Sequence, residues 1–237
     1  MKKISTWIGF ILFLLFSSYT LNALNLPFNF TASSVSAAAS VTSPNENHDI
    51  ARINSNGQHL LSILDHLDVE HHWLPKQPIH WATGETDDTE KPLTSHCSAF
   101  VAAAAAANHI YILRPPEHPQ MFLANAQYDW LQTKGRSYGW NLLNNPWQAQ
   151  SLANRGYLVI AAFKNQQANK PGHIVIIRPS NTAYMHITDE GPHIIQAGMQ
   201  NYNCTTLQTG FKHHPGAWVS SQNYTVLFYS HKIDNIK

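Results

Sequence analysis

The chain has 237 residues and a formal net charge of +1, and only 12% of its residues are charged. This near-neutral composition argues against nucleic acid as the main partner, because nucleic-acid binding needs a cluster of basic side chains. Polarity comes instead from Asn, Gln, Ser, Thr and His. Such a composition favours a neutral ligand that is recognised through hydrogen bonds.

The N-terminal segment MKKISTWIGFILFLLFSS has the pattern of a secretory signal peptide: two lysines, a short apolar run and then small residues. We expect a signal peptide over 1–23, with cleavage as late as 40 as an alternative, followed by a disordered leader over 24–48. The apolar run is too short to span a bilayer comfortably. The sequence therefore predicts an exported protein, periplasmic or extracellular, without a stable membrane span after cleavage. An uncleaved N-terminal anchor is the alternative.

Residues 49–237 are enough for one domain with a core of its own. Leucines at helical spacing between Asn54 and Leu67 predict a first helix, which Ser55 could cap. The Pro-, Trp- and acid-rich stretch 70–92 is typical of a long loop. An alanine-rich helix should then run from Cys97 to about His109, capped by Thr94 or Ser95, because alanine has the highest helix propensity.

The second half of the chain changes from helix patterns to strand patterns. Helices are predicted over 120–132 and 148–154. Continuous apolar runs predict strands over 157–163, 172–179 and 191–198, with further strands over 206–211 and 224–229. Leading helices followed by antiparallel strands indicate an α+β fold, in which the alanine-rich helix packs on a small antiparallel sheet.

Cys97 at the start of the alanine-rich helix is the first candidate catalytic residue. A thiol attacks substrates as the thiolate, and the free N–H groups and dipole of a helix N-terminus stabilise that anion. A histidine is then needed as the base. His173 stands out because it is the first residue of an apolar strand, after Pro171-Gly172, where the backbone fixes it at the open end of the sheet.

A third residue should orient the imidazole of His173. The next strand, predicted to pair antiparallel to the His173 strand, carries the polar residue Gln196 at the end of an apolar run. Its side-chain oxygen could accept a hydrogen bond from the imidazole. Asn201 and Asn203 are alternatives for this role.

Three features in this order resemble the papain-like cell-wall cysteine hydrolases, namely the NlpC-type peptidases and the CHAP amidohydrolases. They are the cysteine helix HCSAFVAAA, the strand GHIVIIRP and a polar residue on the following strand, and the similarity covers 94–203. The resemblance implies a papain-like fold with Cys97 as an unpaired nucleophile, His173 as base and Gln196 as orienting residue. It also implies cleavage of an amide bond in peptidoglycan or its peptide fragments, through an acyl-thioenzyme and without a cofactor.

The chain departs from that family at several positions. NlpC-type enzymes usually have an Asp-Cys pair where this chain has His96-Cys97, and the third position is commonly His, Glu or Asn rather than Gln. The insert over 108–155 has no counterpart in the family. Substrate choice could therefore differ from that of the family.

Four further residues are candidates for substrate binding. The backbone N–H of Cys97 should form one half of an oxyanion hole, and Ser95, His96 or Trp81 could supply the second donor. Trp140 could line a groove for sugar rings or peptides, with core packing as the alternative role. The pairs His71-His72 and His213-His214 do not predict a metal site, because adjacent residues on a strand point in opposite directions and no metal-binding motif surrounds them.

A second interpretation is a non-catalytic binding module that recognises cell-wall fragments or a protein through the tryptophan-rich insert. Two cysteines in an exported protein often pair, so Cys97 and Cys204 would then form a disulfide. If Cys97 is catalytic instead, Cys204 should be a buried free thiol or a partner in an intermolecular disulfide.

Overall fold

The structure is a computed structural model that describes residues 50–167 and 169–234, all within the unit Glu46–Lys237. The predicted signal peptide and leader lie outside the described residues. Within the described part of the chain, no helix is long and apolar enough to cross a bilayer.

Six α-helices and eight strands are formed by the described residues. The helices are α1 (Ser55–His66), α2 (Cys97–Ala107), α3 (Leu123–Thr133), α4 (Pro146–Asn154), α5 (Tyr184–Glu190) and α6 (Leu207–Gly210), with a 3-10 turn over Gly135–Tyr138. The strands are β1 (Asn141–Leu142), β2 (Leu158–Phe163), β3 (His173–Ile177), β4 (His193–Gln196), β5 (Tyr202–Thr206), β6 (Trp218–Ser220), β7 (Asn223–Tyr224) and β8 (Leu227–His231). These elements confirm the predicted α+β class.

The main sheet is antiparallel, with the strand order β1-β8-β2-β3-β4-β5, while β6 and β7 form a separate pair. Strand β3 lies in its centre, and its first residue, His173, is opposite Phe163 of β2. Pairing between β3 and β4 begins only at Ile176 and Ile195. The predicted antiparallel pairing of the His173 strand with the Gln196 strand is therefore confirmed.

Side chains alternate between two apolar layers across this sheet. Ile174 and Ile176 of β3 pack in the layer that contains α2, whereas Val175 and Ile177 face the layer formed with α4 and α6. A central strand that is buried on both faces must be apolar throughout, which explains the continuous runs in the sequence.

The alanines let α2 approach the sheet closely. All of its residues from Cys97 to Ala105 are buried, and Ala102, Ala104 and Ala105 are fully excluded from solvent. A helix that is buried on all sides needs small side chains, because larger ones would separate it from its neighbours. The first turn of α2 is thereby held against β3.

Several predicted details are wrong. Asn54, not Ser55, caps α1, because its side chain accepts a hydrogen bond from the N–H of Gly57 (2.9 Å). The predicted strand 206–211 is instead the helix α6, and the last strand over 224–229 divides into β7 and β8. Helix α3 starts three residues later than predicted, and α5 was not predicted.

Because α2 has no spare room, we expect Ala102→Leu to lower the free energy of unfolding by about 1–3 kcal/mol through overpacking. Urea unfolding followed by circular dichroism measures this difference. Ala107→Leu, at the exposed end of the same helix, is the matched control and should change stability little. Equal urea midpoints for the two variants would contradict the close packing of α2.

Candidate active site

Cys97 is the first residue of α2, and its thiol lies against the start of β3. The preceding residue, His96, is the N-cap and makes no side-chain capping bond, so the predicted capping by Thr94 or Ser95 is wrong. The sulfur faces the hydroxyl of Ser95 and the backbone N–H of Ile174, the residue directly after His173. The thiol therefore lies beside the first two residues of β3.

Two further N–H groups, those of Cys97 and Ser98, also face the sulfur. They precede the first helical hydrogen bond, which the N–H of Phe100 donates to the carbonyl of His96 (2.9 Å). Helix starts leave such donors without helical partners. The first turn of α2 thus offers N–H groups to a negative charge at this position.

Burial nevertheless dominates the state of the thiol. Only 4% of Cys97 is exposed, and desolvation raises the pKa of its thiol, while the four surrounding donors act in the opposite direction without cancelling the effect. The stabilisation of a thiolate by the helix N-terminus is therefore outweighed by burial in the free protein. The resting group is the neutral thiol.

His173 is buried and neutral as well. It is 4% exposed, and desolvation lowers the pKa of its imidazole from 6.5 to about 4, although its hydrogen bond with Gln196 acts in the opposite direction. The structure thus places a neutral thiol and a neutral imidazole at the same end of β3.

The hydrogen bond between His173 and Gln196 defines which nitrogen can act as a base. Nε2 of His173 lies 2.9 Å from Oε1 of Gln196, and Nε2 of Gln196 donates to the carbonyl of Gln200 (3.0 Å). That second bond fixes the orientation of the carboxamide, so its oxygen must face the imidazole. Nε2 of His173 therefore carries the proton, and Nδ1 has a free lone pair. The predicted contact between His173 and Gln196 is present.

Two glycines make room for this pair. A Cβ on Gly172 would lie 2.2 Å from the carbonyl oxygen of Phe163, so only glycine lets the chain turn into β3 so close to β2. A Cβ on Gly198 would lie 2.7 Å from Nε2 of Gln196 and 3.0 Å from the oxygen of Gln200. Substitution of Gly198 would thus disturb the bond that orients the carboxamide.

An aromatic cover lies over the imidazole of His173. His214 stacks on it with a centroid distance of 5.1 Å and an interplanar angle of 8°, and Phe211 contacts it edge-on at 4.9 Å. Burial and the neighbouring His173 lower the pKa of His214 to about 4. No pattern in the sequence predicts this cover, although the segment from Phe211 to His214 is rich in aromatic rings.

No hydrogen bond joins the sulfur of Cys97 directly to the ring of His173 among the bonds of the described residues. Alternation along β3 explains this arrangement, since Ile174 faces α2 and His173 faces the opposite layer with Val175. Both groups lie near the first residues of β3, where β4 has not yet paired with β3. Hydrogen bonds of catalytic groups are often long in free enzymes and shorten when substrate binds.

Two adjoining openings reach these groups. The thiol groove, of about 280 Å³, lies between the start of α2, the turn before α3 and the turn before β3, and Cys97 lines it. The imidazole cavity, of about 50 Å³, is lined by His173, Gln196 and His214. Ser95 lines both openings, so it lies between the thiol and the imidazole.

The other predicted binding residues lie apart from these openings. The ring of His96 is buried and bonds to the carbonyl of Gln77 (2.9 Å). Trp81 packs under the guanidinium of Arg114. Trp140 is 1% exposed and donates its ring N–H to the carbonyl of Tyr111 (2.9 Å), so it packs in the core. Of the four predicted binding residues, the structure brings only Ser95 to the thiol and the imidazole.

Both cysteines are free, so the disulfide of the second interpretation is not formed. Cys204 is exposed rather than buried, and its sulfur lies 3.9 Å from Nδ1 of His193. In the described residues, no group of three or more His, Cys, Asp or Glu side chains is arranged to hold a metal ion.

Comparison with known proteins gives no family assignment. No model of a known protein family matches the chain, and no curated protein matches it significantly.

The depressed pKa values of His173 and His214 predict a marked loss of stability in acid. The unfolded chain takes up a proton at His173 as the pH falls through 6.5, whereas the folded protein resists protonation down to about 4. As far as His173 is concerned, the free energy of unfolding is therefore highest above pH 6.5 and falls progressively as the pH is lowered to 4. One pKa unit corresponds to about 1.4 kcal/mol. Over this range, His173 alone should therefore lower the free energy of unfolding by on the order of 3 kcal/mol.

Urea unfolding at pH 7 and at pH 4.5 measures this dependence. His214→Asn removes the half-buried imidazole that stacks on His173, so its stability should fall less between the two pH values than that of the wild type. His213→Asn, at the exposed neighbouring position, should follow the wild type. Parallel pH profiles for the wild type and His214→Asn would show that the stacked imidazoles do not control acid stability.

Proposed function

We propose that the protein is an exported cysteine hydrolase of papain-like fold that cleaves an amide bond in peptidoglycan, as an endopeptidase or an amidase. The observation that carries the proposal is the buried hydrogen bond from Nε2 of His173 to Gln196, because it leaves Nδ1 free to accept a proton. The nearby thiol, at the start of α2 and against Ile174, supports the assignment of Cys97 as nucleophile. Export to the cell wall rests on the N-terminal sequence pattern.

In this proposal, the thiol proton of Cys97 moves to Nδ1 of His173 as the sulfur attacks the carbonyl carbon of the amide. The neutral resting states of both groups mean that proton transfer accompanies the attack rather than preceding it. The C–N bond of the resulting tetrahedral intermediate then breaks, and the leaving amine takes the proton from Nδ1. The acyl group remains on Cys97 as a thioester.

Hydrolysis of the thioester repeats these steps with water. Nδ1 of His173 takes a proton from the attacking water, the C–S bond breaks, and the sulfur recovers that proton. The N–H groups of Cys97 and Ser98 are the proposed donors to the oxyanion, since both face the sulfur at the helix start. Gln196 orients the imidazole and stabilises its protonated form through a dipole rather than a charge.

Alkylation by iodoacetamide tests whether the thiol and the imidazole cooperate. A Cys204→Ser background leaves Cys97 as the reporting thiol, and mass spectrometry gives the rate. We expect His173→Ala to slow the reaction at pH 7 by at least about tenfold, because the thiol loses its proton acceptor.

The matched control is His59→Ala, which removes an exposed histidine on α1 and should leave the rate unchanged. Gln196→Ala should give an intermediate rate, since the imidazole loses its orienting partner. Identical rates for the wild type and His173→Ala would rule out a catalytic pair.

Digestion of purified peptidoglycan tests the substrate and identifies the bond. We expect new fragments with the wild type and with Cys204→Ser, and a loss of at least about 100-fold with Cys97→Ala or His173→Ala. Mass spectrometry of the fragments then distinguishes an endopeptidase from an amidase. If Cys97 depends on His173 in alkylation but no fragment forms, the peptidoglycan assignment is wrong and the hydrolase assignment stands.

A further inference from the structure

One part of the wall of the thiol groove is apolar and exposed. Met121 and Phe122 are consecutive, 49% and 43% exposed, and both line the groove. No Lys, Arg, His, Asp or Glu is among the described residues that line it. A charged group bound here would lose water without gaining an ionic partner, whereas an apolar group would cover the two exposed side chains.

The backbone at Phe122 is held in an unfavourable conformation. Its φ is +57° and its ψ is 13°, in the left-handed region that bulky side chains rarely adopt. Its carbonyl accepts hydrogen bonds from the N–H groups of Asn125 (3.1 Å) and Ala126 (3.2 Å). Strained residues of this kind persist where the surrounding structure holds them, and they cluster at functional sites.

The turn that carries this wall is also anchored at its start. The side chain of Gln120 donates to the carbonyl of Ile79 (3.0 Å), and the N–H of Leu123 bonds to the carbonyl of Gln120 (3.2 Å). Met121 and Phe122 are thus presented from a turn that is fixed on both sides. The apolar wall is therefore formed before any ligand binds, as is usual for ligand sites.

We propose that the thiol groove is the specificity subsite of the hydrolase and binds an uncharged aliphatic side chain of a peptide, next to the amide bond that Cys97 attacks. This inference rests on the proposed function and adds the substrate class. The groove volume of about 280 Å³ is at the lower end for ligand pockets, which suits one side chain with its backbone rather than a long acyl chain.

Affinity labelling with peptidyl chloromethyl ketones tests the subsite. The sulfur of Cys97 displaces chloride from the reagent, so that a C–S bond forms, a C–Cl bond breaks and the thiol proton passes to His173. N-acetyl-leucyl and N-acetyl-glutamyl chloromethyl ketones are compared in the Cys204→Ser background. Each rate is divided by that of the same reagent with N-acetylcysteine, which removes differences in intrinsic reactivity.

We expect the leucyl reagent to label Cys97 at least about tenfold faster than the glutamyl reagent. Phe122→Gly removes the wall and also accommodates the positive φ, so the preference should fall to about threefold or less. Met121→Lys should raise labelling by the glutamyl reagent, because it places a cation in the groove. Leu142→Ala, at an exposed leucine outside the groove (60% exposed), is the control and should keep the wild-type preference.

A chloromethyl ketone with a linear eight-carbon alkyl chain tests whether the groove binds a peptide side chain or a lipid acyl chain. Labelling no faster than with the leucyl reagent supports the peptide, and clearly faster labelling overturns it. Equal rates for the leucyl and glutamyl reagents overturn the subsite. Failure of the proposed function gives a different result: iodoacetamide alkylation of Cys97 would then not depend on His173.

Discussion

The close contact between the alanine-rich α2 and strand β3 is the constraint on which the candidate site depends. Because the buried side chains of α2 beyond its first turn are mostly methyl groups, its backbone lies directly against the central strand of the sheet. Cys97 is consequently fixed beside Ile174, and not merely near the sheet. A helix with larger side chains could carry the same cysteine, but it would move the sulfur away from the end of β3.

The same burial that fixes the site also sets its charge. Desolvation disfavours both the thiolate of Cys97 and the protonated form of His173. An ion pair is therefore not the resting state, and the proposed mechanism needs the substrate to draw the proton from sulfur to nitrogen. His214 contributes to this balance, since its ring covers one face of the imidazole.

Much of the fold could be predicted from the sequence, because β2, β3 and β4 are continuous apolar runs and α2 is nearly pure alanine. The bond between His173 and Gln196 also followed from the order of two antiparallel strands. Helix α6 was missed because a local cap decides it: the hydroxyl of Thr206 accepts from the N–H of Thr209 (3.3 Å), which ends β5 and starts a helix.

The state of the thiol could not be predicted from local sequence. A helix N-terminus is visible in the pattern, whereas desolvation results from α2 packing on strands more than 60 residues further along the chain. The stacking of His214 on His173 has the same origin, since a loop brings together rings that no periodic pattern relates. The role of Trp140 could not be decided from the sequence for a similar reason, because tryptophans in a core and in a groove look alike in sequence.

The second hydrogen bond of Gln196 explains why an amide, and not a carboxylate, occupies this position. A glutamate there would direct an oxygen without a proton at the carbonyl of Gln200, and the two oxygens would repel each other. The loop after β4 thus favours an uncharged orienting group, which keeps the histidine a weak base, and in the proposed reaction a weakly basic imidazole, once protonated, readily passes its proton to the leaving amine.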